Sequence, residues 1–386
     1  MSAPQQTIAV FQVIPALTTG GAERLVVNLC LYHDRTRYRP VCIVLNPPAN
    51  THYERILHEA GVTVHFLNKR SPADFKVYLH LNRLFRNYRP IVVHTHLGGL
   101  NYTYPLTLVH RTPVRVHTLH NVAEKSLHWR GDARFVQYLA FRKRWGRIEL
   151  VAIAEEVKRT IEQVFGYPTP PLIPNGIPTD EYTPNPQKRL HWRYENQIDP
   201  QAVVLTCVAR FTPPKHHELL LRAFSHLADT PAHLLLVGGG ELEAPLRELA
   251  SQLPNRTRVH FLGIRADIPD ILNASDIFVL SSRWEGNPMS VMEAMASGLP
   301  VVSTAVGGVP ELVEEGKSGL LVPSEDEPAL AQALQTLVAN PDLRRQMGQS
   351  ALRRAQERFD IRQTVRAYET LYEQILTGSY FPNPKA

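Results

Sequence analysis

Short runs of β-branched and other apolar residues alternate with amphipathic segments along this chain, and the whole alternation occurs twice. One set begins at residues 8–13 and the other at residues 202–209. Several runs lack a regular exchange of apolar and polar residues, which is typical of strands covered on both faces of a parallel sheet. Alternation of this kind predicts parallel sheets with right-handed crossovers. We therefore predict an α/β protein with two doubly wound, Rossmann-like parallel-sheet domains.

The region between the two sets is rich in Pro and Asn and has little periodicity over residues 167–200. A chain of 386 residues is also long for one domain. We place an N-terminal domain at 1–178, a linker at 179–200 and a C-terminal domain at 201–358. Ligands of doubly wound sheets bind beyond the carboxyl ends of the strands, so we expect the site in the cleft between the two domains.

The charge of the chain is divided unevenly. Residues 1–190 carry 24 Lys and Arg against 13 Asp and Glu, which leaves 18 against 23 in the remainder. The excess predicts an anionic partner for the N-terminal half, and without a nucleic-acid-binding motif we expect an anionic membrane or acceptor rather than nucleic acid. Residues 138–147 mix aromatic and basic side chains as an interfacial helix does. A solvated helix with an apolar stripe on the core is the plainer interpretation of that segment.

Three further features concern the location of the protein. No apolar run approaches the length of about 18 residues that a membrane span needs, and the first residues lack the basic segment of a signal peptide. Cys30, Cys42 and Cys207 lie in apolar surroundings without metal-type spacing, which predicts buried free thiols. We expect a cytoplasmic protein that, if its basic half meets lipid, is peripheral at the inner face of the membrane.

Two glutamates, Glu285 and Glu293, straddle the predicted start of a helix. Asn287 is a favourable N-cap and Pro288 suits the first helical position, where its missing N–H costs nothing. The first N–H groups of a helix attract an anion such as a phosphate. Two carboxylates would repel that anion unless they bind something else, and sugar or ribose hydroxyls fit that requirement. The stretch therefore predicts a site for a sugar joined to a phosphate.

A glycine pair and a pair of cations also follow predicted strands. Gly20 and Gly21 let the backbone approach a ligand at a helix start, although a plain tight turn would need the same residues. Arg210 and Lys215 lie beyond the strand at 202–209, where two cations can hold a diphosphate and stabilise it as a leaving group. Cations in a loop are otherwise ordinary solvated charges.

Histidines end two neighbouring strands, His94 and His96 in one and His117 and His120 in the other. Such residues suit polar contacts or acid–base chemistry, and hydrogen-bonded core histidines are the alternative. A metal site is not indicated, because neither HExxH nor clustered carboxylate spacing is present.

Taken in order, these motifs resemble the retaining glycosyltransferases of family 4, also called group 1. The resemblance is carried by the glycine motif at 20–23, His117–Asn121, the Pro-Asn-Gly-Ile run at 174–177, Arg210 with Lys215, and the glutamate motif at 285–296. It covers nearly the whole chain and implies the GT-B fold, in which two Rossmann-like domains face each other across a cleft. In such enzymes a C-terminal helix often crosses back to the N-terminal domain, and residues 359–386 would take that role.

The resemblance also implies roles around the nucleotide sugar. Arg210 and Lys215 would bind and neutralise the donor diphosphate, Glu293 would hold the ribose hydroxyls, and His120 would lie beside the transferred sugar. Glu285 would lie against that sugar, and we favour positioning and electrostatics over a nucleophilic role for it. Metal independence follows from the family as well, because cations and helix dipoles replace a divalent ion and no DxD motif appears.

Further donor contacts are implied for the backbone of Asn287, Pro288, Met289 and Ser290, and for Gly20 and Gly21, which would line the cleft near phosphate and acceptor. The expected activity is transfer of a hexosyl unit from a UDP- or GDP-sugar to a saccharide or lipid-linked acceptor, in cell-surface polysaccharide or glycolipid synthesis and without a cofactor. The alternatives are a GT-B epimerase or phosphorylase and a catalytically silent binding protein. The family's common Gly-Phe-Gly or Gly-Phe-Pro is Gly286-Asn287-Pro288 here, which leaves the identity of the transferred sugar open.

Overall fold

A computed structural model describes residues 7–18, 20–71, 74–122, 148–167 and 169–379. The chain forms two compact units, one made of Met1–Asn175 with Ile361–Ala386 and the other of Gly176–Asp360. Each unit contains a six-stranded sheet flanked by helices, and every pairing in the two sheets is parallel. The predicted α/β class with two doubly wound sheets is confirmed. Residues 138–147, the candidate interfacial helix, lie outside the described residues.

The sheet of the first unit has the order β3-β2-β1-β4-β5-β6. The chain builds outward from β1 in one direction and then returns to its other side, so the order reverses between β1 and β4. Its elements are β1 Ile8–Ile14, α1 Gly21–Tyr32, β2 Tyr38–Val44, α2 His52–Glu59, β3 Thr63–Phe66, α3 Phe75–Tyr88, β4 Val92–His96, α4 Gly99–Val109, β5 Val114–Leu119, β6 Glu149–Ala152 and α5 Glu155–Phe165, joined later by α14 Ile361–Thr377.

Helix α14 belongs to the core of the first unit. Its residues Val365, Tyr368 and Tyr372 are buried in one apolar cluster with Val10 of β1 and Leu25 of α1. An amphipathic helix is stabilised mainly by burial of its apolar stripe. The sequence expectation placed residues 359–386 against the N-terminal domain; the structure begins this helix at Ile361 and packs it within the first unit.

Helix α4 has no counterpart in the sequence interpretation. Eight of its residues are buried, including the polar Asn101, Thr103 and Thr107. A helix that is buried on most sides has no polar stripe, so it produces no helical periodicity. Pro105 inside the helix further obscures it, because proline in a helix interior removes a hydrogen-bond donor.

The sheet of the second unit has the order β12-β11-β10-β7-β8-β9, with its reversal between β7 and β10. This is the same topology as in the first unit. The elements are α6 Pro186–Glu195, β7 Val204–Val208, α7 His217–Ser225, β8 His233–Val237, α8 Glu243–Ser251, β9 Val259–Gly263, α9 Ile268–Ala274, β10 Ile277–Leu280, α10 Met289–Ala296, β11 Val301–Thr304, α11 Val309–Leu312, β12 Gly319–Val322, α12 Glu327–Ala339 and α13 Pro341–Arg358.

Residues 179–200, expected to be a linker, form a packed part of the second unit. Asn185 caps α6 by accepting hydrogen bonds from the backbone N–H groups of Gln187 and Lys188, both at 3.0 Å. Arg193 of the same helix is fully buried and pairs with Asp276 at 2.7 Å. The Pro and Asn residues that indicated a linker therefore include the start signal of a short helix.

Candidate functional site

The two strands at which the second sheet reverses, β7 and β10, carry the strongest candidates. Lys215 follows β7 and Glu285 follows β10. The crevice beyond the carboxyl ends of such strands is where doubly wound sheets bind ligands. The fold thus brings together two residues that are 70 positions apart in the sequence.

Lys215 and Glu285 form a close ion pair. The Lys215 Nζ donates to both carboxylate oxygens of Glu285, at 2.6 and 2.8 Å, and the Ser282 hydroxyl donates to Oε1 at 2.6 Å. The Glu285 side chain is 6% exposed and that of Lys215 is 22% exposed. A largely buried ion pair is tolerated only when further hydrogen bonds satisfy its groups, and Ser282 provides one of them. The sequence interpretation did not include Ser282, although its place directly after a strand was an available signal.

The loop after β11 supports the backbone on which Glu285 stands. Gly307 has a φ of +58°, and a Cβ at this position would overlap the carbonyl oxygen of Glu285. The N–H of Gly308 donates to the Gly286 carbonyl at 2.7 Å, and the Thr304 hydroxyl donates to the Ser282 carbonyl at 2.6 Å. The position of the carboxylate is therefore set by a neighbouring strand as well as by its own loop.

The loop that carries Lys215 is tied to the loop after β10. The Ser281 hydroxyl donates to the carbonyls of Lys215 and His216, at 3.1 and 2.9 Å, and the Arg283 N–H donates to the Pro214 carbonyl at 2.8 Å. Arg210 lies earlier in the loop and is exposed. These bonds fix Lys215, while the Arg210 guanidinium reaches solvent.

Helix α10 begins one residue later than predicted. Its N-cap is Pro288, with φ −71° and ψ 114°, and its first residue is Met289. The prediction of Asn287 as the N-cap is wrong, because the extended backbone of Pro288 delays the start of the helix. The N-cap side chain makes no capping hydrogen bond, as expected for proline, which carries no side-chain acceptor.

The remaining residues of the glutamate motif surround this helix start. Asn287 and Met289 are buried, whereas Ser290 and Glu293 are partly exposed. The positive end of the α10 dipole lies at Met289, directly after the loop that carries Glu285. The start of the helix thus lies within two turns of a partly exposed carboxylate, that of Glu293.

In the first unit, Gly20 is the N-cap of α1 and Gly21 is its first residue. Glu23 lies in the first turn and accepts a hydrogen bond from the Thr18 hydroxyl at 3.0 Å. A Cβ on Gly20 would collide with the Glu23 carboxylate. The glycine therefore leaves room for an acidic group at the helix start.

The strand-end histidines are hydrogen-bonded; His94, His96 and His117 are buried and His120 is partly exposed. His96 Nδ1 lies 3.0 Å from His120 Nε2, and His117 Nδ1 lies 2.9 Å from the Thr95 hydroxyl. Burial, assisted by the nearby His117, lowers the pKa of His120 to about 3. Burial also lowers the pKa of His117 to about 4 and holds those of His94 and His96 well below the ordinary range. All four imidazoles are thus neutral near pH 7 and act as hydrogen-bonding groups rather than cations.

The described ranges contain neither a cluster of metal-binding side chains nor a helix that could span a membrane. Among these residues, no group of three or more His, Cys, Asp and Glu side chains could hold a metal ion. Likewise, no helix in the described part of the chain combines the length and apolarity needed to cross a membrane. The three cysteines are free and buried, as predicted.

Comparison with known families gives two matches that together take up most of the chain. The family described as Glycosyltransferase Family 4 matches residues 19–181, and the family described as Glycosyl transferases group 1 matches residues 188–354. The first match covers most of the first unit and the second lies within the second unit.

Individual relatives agree with these families. The chain is 32% identical to N-acetyl-α-D-glucosaminyl L-malate synthase of Bacillus anthracis over 183 residues, about half of each chain (47% and 48%). It is 27% identical to UDP-Gal:α-D-GlcNAc-diphosphoundecaprenol α-1,3-galactosyltransferase of Escherichia coli over 269 residues, 68% of this chain and 70% of that protein.

A solved structure matches the fold over nearly the full length. The crystal structure of Alr3699/HepE from Anabaena in complex with UDP-glucose superposes with a TM-score of 0.81 at 22% identity, covering 95% of this chain and 100% of the other. At this level of identity the likeness concerns the fold, and the predicted GT-B class is confirmed.

Proposed function

Since this chain belongs to the glycosyltransferases of group 1 and family 4, we propose that it transfers a hexosyl unit from a UDP- or GDP-sugar, with retention at the anomeric carbon, to a saccharide or lipid-linked acceptor. The observation that carries the proposal is the Lys215–Glu285 pair at the reversal point of the second sheet. The pair places a cation that can bind a diphosphate at hydrogen-bonding distance from a carboxylate that can bind sugar hydroxyls.

Lys215 and Arg210 stabilise the departing nucleoside diphosphate in this proposal. Cleavage of the sugar–phosphate bond develops negative charge on the leaving phosphate, and preorganised positive groups at that place lower the barrier. The N-terminus of α10 adds the positive end of a helix dipole. These groups provide the positive charge that a divalent ion provides in metal-dependent enzymes, which supports a metal-independent reaction.

Glu285 acts by positioning and electrostatics in this proposal, rather than as a nucleophile. Its Oε1 already accepts from Ser282 and both of its oxygens accept from Lys215. A carboxylate held in this way is a poor attacking group, but it can still orient Lys215 and accept from a sugar hydroxyl. Glu293, partly exposed on α10, is the proposed ligand of the ribose hydroxyls.

His120 contributes a neutral imidazole beside the transferred sugar. With its pKa lowered to about 3, it stays uncharged over the physiological range and can exchange hydrogen bonds with a sugar hydroxyl. We assign it a binding role in the reacting complex rather than that of a cationic acid.

The donor and acceptor are proposed from the relatives. The Escherichia coli relative is by its name a UDP-Gal-dependent enzyme acting on a diphosphoundecaprenol-linked sugar, and the Anabaena structure contains UDP-glucose. We therefore rank UDP-sugars before GDP-sugars and place the product in glycolipid or cell-surface polysaccharide synthesis. The excess of basic residues in 1–190 supports peripheral contact with an anionic membrane on the cytoplasmic side.

Thermal-shift screening against UDP-, GDP- and ADP-sugars tests the donor, because a ligand bound only by the folded state raises Tm as its affinity increases. The selected donor is then incubated with lipid-linked and free saccharide acceptors in the presence of EDTA. Transfer with retained anomeric configuration supports the proposal. Epimerisation of the donor without transfer, or loss of activity with EDTA, contradicts it.

A further inference from the structure

A line of side-chain hydrogen bonds crosses the first unit from His120 to Glu369 on α14. His120 Nε2 lies 3.0 Å from His96 Nδ1, and His96 Nε2 lies 3.1 Å from Gln12 Oε1. Gln12 Nε2 lies 3.4 Å from His33 Nε2, and His33 Nδ1 lies 2.9 Å from Glu369 Oε1. We call these five residues the His120–Glu369 chain.

The inner members of the chain are out of contact with water. Gln12 and His96 are 0% exposed and His33 is 3% exposed, while the Glu369 side chain is 14% exposed. Buried polar groups are nearly always hydrogen-bonded, since an unmet donor or acceptor costs about 1–3 kcal/mol. The hydrogens must therefore be distributed so that each contact has one donor and one acceptor.

That distribution can be followed from the Glu369 end. A carboxylate only accepts, so His33 carries its hydrogen on Nδ1, and its Nε2 faces the Gln12 amide nitrogen, which can only donate. The Gln12 amide must then donate to His33, which turns its oxygen toward His96. His96 accordingly donates from Nε2 and accepts at Nδ1, which leaves His120 as the donor in the last contact.

Neighbouring bonds agree with this direction. The backbone N–H of Asp34 donates to the same Glu369 oxygen at 2.9 Å, which fixes that oxygen as an acceptor. The Tyr372 hydroxyl lies 2.7 Å from His94 Nδ1 and accepts from Gln12 Nε2 at 3.5 Å. Both contacts are satisfied when the amide nitrogen of Gln12 faces away from His96. The neutrality of His96 and His120 gives each ring a single hydrogen to place.

We infer that Glu369 fixes the tautomer of His120 through His33, Gln12 and His96, so that His120 carries its hydrogen on Nε2 and offers the Nδ1 lone pair to a ligand. Glu369, His33, Gln12 and His96 are thus positioning residues. The catalytic consequence rests on the proposed function: Nδ1 accepts a hydrogen bond from a hydroxyl of the transferred sugar, and the opposite tautomer would present a donor there.

The tautomer can be read directly in the full chain without any substrate. Long-range ¹H–¹⁵N correlation spectra of ¹⁵N-histidine-labelled protein distinguish the two ring nitrogens, and at about pH 8 imidazoles of ordinary pKa are neutral. The His120 signals are those lost in His120→Gln. We expect the hydrogen on Nε2, and a hydrogen on Nδ1 in the unaltered protein would overturn the inference.

Variants test whether the chain sets that tautomer. Glu369→Leu removes the terminal acceptor and Gln12→Met breaks the chain at its middle, so in each we expect a mixture of His120 tautomers. Glu369→Gln should retain Nε2–H, because the Asp34 N–H can only donate and holds the amide oxygen in place. Glu373→Leu is the matched control on the same helix, since Glu373 accepts from the Tyr38 hydroxyl outside the chain.

An unchanged tautomer in both folded chain-breaking variants would overturn the inference. In the transfer assay, Glu369→Leu should lower kcat at least about tenfold, the equivalent of one ordinary hydrogen bond, with Glu373→Leu unaffected and Glu369→Gln retaining the rate. The two proposals fail separately. If the chain-breaking variants shift the His120 tautomer but no nucleotide sugar supports transfer, only the proposed function is refuted. If the protein transfers a sugar while His120 keeps its hydrogen fixed on Nδ1, only the inference about the His120–Glu369 chain is refuted.

Discussion

Among single residues, Glu285 gives the sharpest prediction about activity. Glu285→Gln preserves the shape of the side chain but removes the negative charge that holds Lys215. We expect kcat to fall by about 10²–10³-fold, because the cation at the leaving group is no longer preorganised. Glu218→Gln is the control, since Glu218 makes an exposed ion pair with Arg222 in the same unit. A folded Glu285→Gln protein with the wild-type kcat would remove Glu285 from the site.

The role of a residue was predictable where it depends on a sequence motif. It was unpredictable where it depends on another side chain that folding brings close. Lys215 and Glu285 could be selected because cations and acids after strands suit a sugar phosphate. The roles of Ser282 and Gln12 were not predicted, because they arise from side chains that the fold brings to them, although the place of Ser282 directly after a strand was a signal. Gln12 did carry a signal, namely a polar residue inside an otherwise apolar strand.

At the scale of elements, the loop after β11 controls the carboxylate of a different loop. Gly307→Ala adds a methyl group that overlaps the Glu285 carbonyl, in addition to the strain of about 1–2 kcal/mol for a left-handed backbone. We expect kcat/KM to fall by more than the lowered stability of the folded protein alone would cause. Gly316→Ala is the matched control, because its φ is +72° and nothing lies within 4 Å of its added Cβ.

The comparison is made by measuring Tm and kcat/KM for both variants. Gly316→Ala should lower Tm slightly and leave kcat/KM unchanged, whereas Gly307→Ala should lower both. Equal losses of activity in the two variants would show that backbone strain alone, rather than displacement of Glu285, is responsible.

Strands were predictable as short apolar, β-branched runs and amphipathic helices from their periodicity, but two helices were not predicted. Helix α4 is buried on most sides and has no polar stripe, so its sequence shows no helical period. Helix α6 was concealed by the Asn and Pro residues of its own start, which also signal loops. Tertiary burial thus concealed α4, whereas α6 was missed because the residues that start a helix also occur in loops.

At the scale of the whole molecule, the buried histidines make the first unit sensitive to acid. The pKa values of His117 and His120, about 4 and about 3, lie below the ordinary value. Between about pH 6.5 and pH 4 the unfolded chain therefore binds protons that the folded chain does not. The free energy of unfolding should thus fall as the pH falls through this range, by on the order of 1 kcal/mol for each such histidine at about pH 5.5.

Urea unfolding at about pH 7.5 and about pH 5.5 measures this effect. His117→Gln removes one titrating group and should reduce the pH dependence, while His191→Gln, at a largely exposed position on α6, should leave it unchanged. A free energy of unfolding that is equal at the two pH values would contradict the prediction.

The charge asymmetry of the chain leads to a prediction about membranes. Phe75 and Leu79 on α3 are 69% and 54% exposed, in the half of the chain with the excess of Lys and Arg. We expect co-sedimentation with anionic vesicles that weakens at high salt and falls severalfold in Phe75→Ser/Leu79→Ser. Tyr194→Ser/Ile264→Ser is the control, because these residues are 85% and 70% exposed and lie in the second unit, beyond residue 190. Vesicle binding that is absent, or equal in both variants, would contradict the prediction.

The place of α14 has a consequence for how the protein is made. Its tyrosines complete one apolar cluster of the first unit, yet the ribosome synthesises them only after the whole of the second unit. Gly176–Asp360 is continuous in sequence and can finish folding while it emerges, whereas the first unit must wait with part of its core uncovered. The unit that the ribosome begins first is therefore the last to finish folding. The nascent first unit is the part that would need a chaperone.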